Sequence, residues 1–167
     1  MPSITFCEVY RGNPVRHGNY ETPAGAMPRG IGVVRSSDTV AKAGVGVVPF
    51  GFLNTKVTTD GPSVEELLFI STDSGIIKEK KVSEGVVQVI AYDPGTSYVI
   101  KGNVKAGTTF AVGEMVFMAA DGEFTDLAGA SDGDSVLGVV EEIAATWENE
   151  TDCIVWQAVA NLGQKVS

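Results

Sequence analysis

Few residues of the chain have the chemistry of a nucleophile, a general base or a soft metal ligand. His17 is the only histidine, and the two cysteines, Cys7 and Cys153, lie far apart in the sequence. A catalytic dyad needs its base within hydrogen-bond reach of the nucleophile, and the irregular chain between Cys7 and His17 gives no reason for them to meet. One histidine and two scattered cysteines also cannot fill a four-ligand zinc site. The sequence therefore predicts a protein that is not an enzyme and has no cofactor, and it leaves open whether the cysteines pair.

Acidic side chains are concentrated between residues 123 and 134. Glu123, Asp126, Asp132 and Asp134 offer the oxygen ligands that calcium prefers. The run TDLAGASDGDS, however, lacks the Asp-x-Asp-x-Asp-Gly order and the terminal Glu of an EF-hand loop. We interpret this stretch as a solvated acidic loop and predict no metal site, with a weak cation site as the alternative.

The four arginines are the candidate partner-binding residues, and all lie within the first 37 residues: Arg11, Arg16, Arg29 and Arg35. Two glutamates oppose four arginines there, a net charge of +2, whereas residues 106–167 hold one lysine against eleven acidic residues, a net charge of −10. The chain as a whole carries −9, which argues against a nucleic-acid partner because phosphates demand Lys and Arg. A guanidinium pairs a carboxylate through two hydrogen bonds. We therefore expect these arginines to contact an acidic surface, on a partner or on a neighbouring copy.

The segment that would carry most of these arginines is rich in glycine and proline. Seven such residues interrupt residues 11–30, a composition that cannot bury a core of its own. We predict an extended N-terminal arm over residues 1–30, ordered by contact with a partner, and a single β-barrel domain over residues 31–167. A surface loop or a loose tail is the alternative for the arm. No apolar run approaches the roughly 18 residues that cross a bilayer, so no membrane partner is expected.

The rest of the chain alternates short apolar runs with turn residues, a pattern typical of an all-β sandwich or barrel. We predict about ten short strands, at most one short helix at residues 62–71 capped by Ser63, and a turn at Gly102-Asn103. Asp121-Gly122 indicates a type I′ turn, since both of its central residues need positive φ. Residues 31–59 are predicted to form short strands with turns between them. The other predicted strands cover residues 4–9, 76–82, 86–92, 97–101, 115–119, 136–143 and 153–160.

Residues 111–116, AVGEMV, resemble the Val-x-x-Gly-Glu/Asp-x-Val phrase of biotinyl and lipoyl carrier domains. In that family the modified lysine follows at the next turn. Here the corresponding turn is Ala120-Asp121-Gly122-Glu123 and holds no lysine. The shared phrase therefore indicates barrel architecture without the carrier function.

A second resemblance is to the head decoration, or cement, proteins of tailed bacteriophages, which have a small barrel called the β-tulip. The phrase has the form AG-x-x-F-x-x-G-[DE]-x-V, followed by DG and later by G-V/I-V/A-x-E. The matching residues are Ala106-Gly107, Phe110, Gly113-Glu114, Val116, Asp121-Gly122 and Gly138-Val139-Val140-Glu141. The match covers about a quarter of the chain and is moderately specific.

That resemblance implies a structural virion protein that binds the capsid exterior and is made in the host cytoplasm. Its expected partners are the major capsid protein and other copies of itself, as a homotrimer or a dimer. Two alternatives stay open. One is another virion β-protein, such as a tail tube or a fibre base. The other is a soluble carbohydrate- or ligand-binding β-module that uses Trp147, Trp156 and Tyr92 as stacking platforms, although we expect Trp156 in the core.

Overall fold

The computed structural model describes residues 9–11, 16–58, 61–62, 86–92, 99–147, 150–159 and 162–166. These residues form thirteen strands and one tight turn with 3-10 hydrogen bonding at Ala120–Gly122, so the predicted all-β fold is confirmed. The predicted helix at residues 62–71 and the predicted strand at residues 76–82 lie almost wholly outside these residues. The strands are β1 Val9–Arg11, β2 Arg16–Glu21, β3 Gly32–Ser36, β4 Thr39–Lys42, β5 Gly51–Leu53, β6 Val57–Thr58, β7 Gly61–Pro62, β8 Val86–Ala91, β9 Val99–Asn103, β10 Met115–Met118, β11 Phe124–Thr125, β12 Gly138–Trp147 and β13 Glu150–Ala158.

Five strands close into a small barrel in the order β2-β4-β3-β5-β8. Four seams are antiparallel, and the fifth, between β2 and β4, is parallel and rests on one residue pair, Glu21 with Thr39. The Thr39 Oγ1 hydroxyl donates to the Glu21 carbonyl at 2.8 Å and supports that short seam. β8 pairs with β5 on one edge and with β2 on the other, which confirms its predicted central position. The β2–β8 seam joins distant parts of the chain, since it pairs Arg16 with Ile90.

The barrel interior is aliphatic. Short strands rich in valine and isoleucine favour this arrangement, because β-branched side chains suit a pleated surface that packs on one face. Half-buried Tyr20 and Phe50 pack against the same cluster. The buried members are Met27, Ile31, Val33, Val40, Leu53, Val57, Val87 and Val89.

Six strands form the second sheet, in the order β1-β9-β13-β12-β10-β11, with every neighbouring pair antiparallel. The long hairpin β12–β13 provides its centre, with pairs that run from Gly138–Ala158 to Trp147–Glu150. Register shifts after Val140 and after Ile143 mark bulges in β12, which bend a strand locally. The sheet is thus built on one strongly paired hairpin.

The main core lies where the barrel packs against this sheet. Phe52 and Ile90 come from the barrel, and Phe124 and Trp156 come from the sheet. The Trp156 ring lies 5.3 Å from the Phe52 ring in an edge-to-face arrangement and 5.0 Å from the Phe124 ring. Aromatic pairs of this kind add about 0.5–1.5 kcal/mol beyond the burial of their area. The two sheets therefore share one aromatic core, and Trp156 lies in it as expected.

The predicted turn at Gly102-Asn103 is wrong, because both residues belong to strand β9. Gly102 pairs with Ile154 in the sheet. A Cβ atom at Gly102 would lie 2.6 Å from Phe124 Cε2 and 2.7 Å from Trp156 Nε1. Glycine is needed here because two rings pack directly against the strand, rather than because the backbone turns.

The described part of the predicted arm is built into the two sheets. β1 pairs with β9 at the edge of the six-stranded sheet, and β2 forms two seams of the barrel. Met27 exchanges two backbone hydrogen bonds of 2.8 Å with Val57, and its side chain is buried. Of the described glycines and prolines of this segment, Gly18 lies within β2, and the others lie in the connection between β2 and β3. Residues 1–8 and 12–15 lie outside the described residues.

The predicted type I′ turn at Asp121-Gly122 is confirmed. Asp121 has φ 59° and Gly122 has φ 73°, and the Glu123 N–H donates to the Ala120 carbonyl at 3.2 Å. β11 follows the turn at once and pairs with β10. The strand predicted at residues 136–143 corresponds to β12, which pairs with the other edge of β10. β10 is therefore an inner strand with partners on both sides.

Candidate binding surface

The four arginines predicted to bind a partner lie on four different segments. Arg11 ends β1 at the edge of the six-stranded sheet, and Arg16 begins β2 in the barrel. Arg29 is half-buried in the connection between β2 and β3, and Arg35 is exposed in β3. The fold therefore presents these arginines on two sheets and a connection, and not along one free segment.

Arg35 is anchored on the barrel surface. Its Nε donates to the Ser37 carbonyl at 3.0 Å, and its guanidinium carbon lies 5.9 Å from the centroid of the Tyr20 ring. Tyr20 in turn packs edge-to-face on Phe50 at 5.8 Å. A cation over an aromatic face contributes about 0.5–1 kcal/mol at an exposed site. The contact orients the guanidinium while the side chain stays accessible to a carboxylate of a partner.

Residues 29 and 30 join the barrel to β9. The Arg29 carbonyl accepts a hydrogen bond from Asn103 Nδ2 at 2.7 Å, and the Asn103 N–H donates to the Gly30 carbonyl at 3.3 Å. Asn103 is 9% exposed, so its polar groups need such partners. The Arg29 backbone is thus held where the barrel meets β9.

The turn at Asp121-Gly122 docks on the barrel. The Gly122 N–H donates to the Ala43 carbonyl at 2.9 Å, and a Cβ atom at Gly122 would lie 2.3 Å from the Gly32 carbonyl oxygen. Lys42 Nζ lies 3.8 Å from Asp121 Oδ1 at the surface of this joint. An exposed ion pair of this kind contributes about 0–1 kcal/mol. The close backbone approach, which only glycine permits, therefore determines how the turn sits.

Glu123 follows this turn and is half-buried. Burial raises the pKa of its carboxyl, and the neighbouring Asp121 carboxylate raises it further. The ammonium groups of Lys42 and Lys105 act in the opposite direction. The joint is thus a small cluster of mixed charge.

The valine loop, defined as residues 44–48, projects from the barrel beside this joint. The Val47 N–H donates to the Gly44 carbonyl at 3.2 Å and closes a turn in which Gly46 has φ +70°. The Gly46 N–H donates to the Met118 carbonyl at 3.0 Å, at the end of β10. A Cβ atom at Gly46 would lie 2.2 Å from Asp134 Oδ1. The loop is therefore fixed by the sheet on one side and by the acidic loop on the other.

Three of the five residues in the valine loop expose an apolar side chain. Val45 is 56% exposed, Val47 39% and Val48 50%. The other large exposed apolar side chains of the described residues are spread over several loops and strands: Val112, Met115, Leu127, Ile143, Leu162 and Val166. Single exposed apolar residues are normal on a protein surface, whereas a contiguous group marks an interaction site.

Sequence reasoning missed the valine loop. Residues 31–59 are predicted only as short strands separated by turns, which does not place a loop at the run GVGVV of residues 44–48. The signal that could have separated it is the pair of glycines, Gly44 and Gly46, on either side of Val45, which permits a turn that a paired strand does not need.

The acidic loop around residues 126–134 uses its carboxylates to hold its own turns. Asp126 Oδ1 accepts the Gly129 N–H at 2.9 Å, and Asp134 Oδ2 accepts the Ser131 N–H at 2.8 Å. Lys165 donates to two carbonyls of this loop, those of Leu127 at 2.9 Å and Ala130 at 2.7 Å. Among the described residues, no three His, Cys, Asp or Glu side chains are placed together to hold a metal ion.

Two of the three aromatic residues considered as stacking platforms are unsuited to that role. Trp156 is fully buried, and its Nε1 has no hydrogen-bond partner among the residues that the structure describes. Tyr92 is half-buried, and its hydroxyl donates to the Leu137 carbonyl at 2.8 Å. Burial raises the pKa of Tyr92 to about 12. The platform hypothesis retains only Trp147, which lies at the end of β12.

His17 lies within β2, and Cys153 lies within β13 opposite Ala145 and Asn103, whereas Cys7 lies outside the described residues. In the part of the chain that the structure describes, no helix is long and apolar enough to span a bilayer. The sequence matches no protein-family model, and no curated protein is significantly similar to it.

Proposed function

We propose that this chain is a decoration, or cement, subunit of a tailed-bacteriophage head. It binds the outside of the icosahedral shell, contacts the major capsid protein and stabilises the shell across capsomer boundaries. The observation that supports the proposal is the packing of the phrase that resembles head decoration proteins. Its Phe110, Val116 and Val140 lie in the core between barrel and sheet, and Val140 exchanges backbone hydrogen bonds with Gly113 and Glu114.

Several glycine and apolar positions of that phrase have a distinct structural role. Phe110 and Val116 are buried in the shared core. Gly113 has φ +89°, a conformation that side chains rarely adopt. Gly122 approaches the barrel backbone, and a Cβ at Gly138 would lie 2.6 Å from Trp156 Cε3. These positions are therefore determined by packing and backbone conformation. This supports a resemblance to head decoration proteins in architecture as well as in sequence.

The charge distribution supports a binding role at a protein surface. Residues 106–167 carry a net charge of −10, and the first 37 residues carry +2. A partner with a basic surface would be attracted by the acidic body, and the exposed Arg35 offers a separate contact for a carboxylate. Two contact regions on one scaffold bind as linked modules, so modest affinity at each is sufficient.

Because the four arginines lie within the fold and not on a free arm, deletion of residues 1–30 is not a clean test of their role in binding. Deletion of residues 1–30 would remove β2 and open the barrel, so such a variant tests folding rather than binding. Substitution is the better test. Arg29→Gln with Arg35→Gln leaves β2 in place, and it is expected to weaken binding to heads because two charges are removed.

Cosedimentation with DNA-free heads tests the proposed function. The heads are assembled from the major capsid protein encoded in the same genome, and bound density is then located by electron cryo-microscopy. Saturable binding with density on the outer surface is the expected result. No cosedimentation at micromolar protein, with the circular dichroism of a folded β-protein, would overturn the proposal.

We also propose that the subunit acts as a homotrimer, or as a dimer. Native mass spectrometry of the purified chain measures this directly. A strict monomer, both free and bound to heads, would contradict this part of the proposal and leave the capsid contact standing.

A further inference from the structure

We infer that the valine loop is the apolar anchor of this protein and inserts into an apolar recess with a basic rim on the major capsid protein. The inference rests on the proposed function and deepens it, because it names the contacting segment and the chemistry of its receptor. It also gives the main binding role to a segment other than the four arginines.

The first argument is the concentration of exposed apolar surface. Val45, Val47 and Val48 lie within four consecutive residues and are each between 39% and 56% exposed. Binding energy at protein interfaces is concentrated in a few side chains that become fully desolvated in a pocket of the partner. No other stretch of four consecutive described residues exposes three large apolar side chains.

The second argument is that the loop is already ordered. The Val47–Gly44 hydrogen bond closes the turn, and the Gly46–Met118 hydrogen bond ties it to β10. At the two ends of the loop, the Ala43 N–H donates to Gly32 at 2.9 Å and the Phe50 N–H donates to Val33 at 2.8 Å. A contact made by a segment already held in place loses little conformational entropy on binding.

The third argument is the charge around the loop, which decides between possible occupants. The Asp134 carboxylate lies against Gly46, and Asp132 is exposed two residues earlier. Lys42, next to the loop, lies 3.8 Å from the Asp121 carboxylate that offsets its charge. An acidic flank favours a basic rim on the partner. It disfavours an anionic lipid surface. It also disfavours a two-fold contact between two valine loops, because each Asp134 would then approach its own copy.

The expected size of the effect follows from the exposed area. Burial of the exposed parts of three valines is expected to tighten binding by roughly tenfold to a hundredfold. The acidic flank is expected to make that binding weaker as the salt concentration rises.

The experiment compares three forms of the full chain in cosedimentation with DNA-free heads at several salt concentrations. The test variant carries Val45→Ser, Val47→Ser and Val48→Ser. The matched control carries Val112→Ser, Leu162→Ser and Val166→Ser, three exposed apolar residues elsewhere. We expect the test variant to bind at least about tenfold more weakly than the wild type, and the control to bind within about twofold of it. Circular dichroism and thermal unfolding check that all three are folded.

A further variant, Asp132→Asn with Asp134→Asn, tests the charge contact between the acidic flank of the loop and the basic rim of the partner. Asparagine keeps an oxygen that can accept the Ser131 N–H, so the loop is retained while two charges are lost. We expect weaker binding and a shallower dependence on salt.

The outcomes separate the inference from the proposed function. If the wild type does not bind heads, the proposed function fails. If the wild type binds and the valine variant binds equally well, the proposed function stands and this inference is overturned. If native mass spectrometry shows that the valine variant has lost its oligomer, the receptor of the loop is a second copy, which also overturns it.

Discussion

The barrel and the six-stranded sheet bury different kinds of side chain and close in different ways. The barrel is filled by valine, isoleucine, leucine and methionine, whereas the core beneath the sheet is centred on Phe52, Phe124 and Trp156. The barrel closes through a single residue pair between β2 and β4, and the sheet is built on the long β12–β13 hairpin. The barrel is thus the part with a weak seam.

This difference assigns separate tasks to the two regions. The sheet brings its Asp121-Gly122 turn and the end of β10 against the barrel, and these contacts hold the valine loop. The barrel supplies the loop itself and the exposed Arg35. A loop that the sheet already holds through a backbone hydrogen bond would lose less conformational entropy on binding than a free loop.

The largest expected effect tests whether the aromatic core joins the two regions. Trp156→Ala is expected to lower the free energy of unfolding by about 3–5 kcal/mol, because it removes the side chain that contacts both Phe52 and Phe124. Val89→Ala, inside the barrel alone, is the comparison and is expected to cost roughly 1–2 kcal/mol. Urea unfolding followed by two optical probes measures both. Separate unfolding transitions for the barrel and the sheet would contradict the interpretation that they share one core.

A smaller effect concerns the contacts of Gly46 that support the valine loop. Gly46→Ala is expected to cost about 1–3 kcal/mol, since Gly46 has φ +70° and its Cβ would meet Asp134 Oδ1. Gly44→Ala is the matched control in the same loop, because its Cβ would meet only Val47 Cγ2 at an ordinary 3.7 Å. Thermal unfolding distinguishes the two variants. Equal melting temperatures would mean that the loop is not held as tightly as the contacts indicate.

Tyr92 gives a pH-dependent test of the barrel–sheet contact. Its hydroxyl donates to Leu137 across that contact, and burial raises its pKa to about 12. An unfolded tyrosine ionises near pH 10. The unfolded state therefore releases its proton first, so the stabilisation from Tyr92 is complete below about pH 10 and is lost as pH rises towards 12. Tyr92→Phe is expected to lose about 1 kcal/mol at neutral pH.

The same variant is expected to lose less additional stability than the wild type between pH 10 and 12. Urea unfolding at a series of pH values measures this difference in slope. If the wild type and Tyr92→Phe decline in parallel over that range, Tyr92 does not report on the contact.

The smallest expected effect tests whether the β2–β4 seam is weaker than the pairing of β12 with β13. Thr39→Val keeps the side-chain shape but removes the hydrogen bond to the Glu21 carbonyl, at an expected cost of about 0.5–1 kcal/mol. Hydrogen exchange is expected to become faster in β2 and to stay unchanged in β12 and β13. The Thr108 hydroxyl lies 3.3 Å from that of Thr125 in β11, so Thr108→Val is the control that leaves β2 unchanged. Uniform acceleration along the chain would mean that the β2–β4 seam is no weaker than the others.

Local signals in the sequence predicted much of this fold. The all-β class follows from apolar runs separated by turn residues, and the type I′ turn follows from Asp121-Gly122 because its requirement for positive φ is local. Central β8 is recognisable from apolar residues on both faces. The burial of Trp156 follows from the apolar strand around it.

Long-range contacts explain what the sequence did not predict. Gly102 resembles a turn residue, yet its role depends on Phe124 and Trp156, which are distant in sequence. The glycines and prolines before residue 30 suggest a free arm, yet β2 completes a barrel with a partner strand far along the chain. The valine loop has strand composition, yet its Gly46 N–H bonds to the Met118 carbonyl, which is distant in sequence.

The β2–β8 seam has a consequence for how the chain acquires its structure. The hairpins β10–β11 and β12–β13 join residues close in sequence, whereas closing the barrel brings Arg16 to Ile90. Loop-closure entropy must be overcome before such distant contacts stabilise anything, so we expect the hairpins to form early and the barrel to close last. Pulse-labelled hydrogen exchange during refolding measures this order, and protection of β2 before β12 would contradict it. A chain still emerging from the ribosome would hold β2 by its single residue pair with β4 alone until β8 has been synthesised.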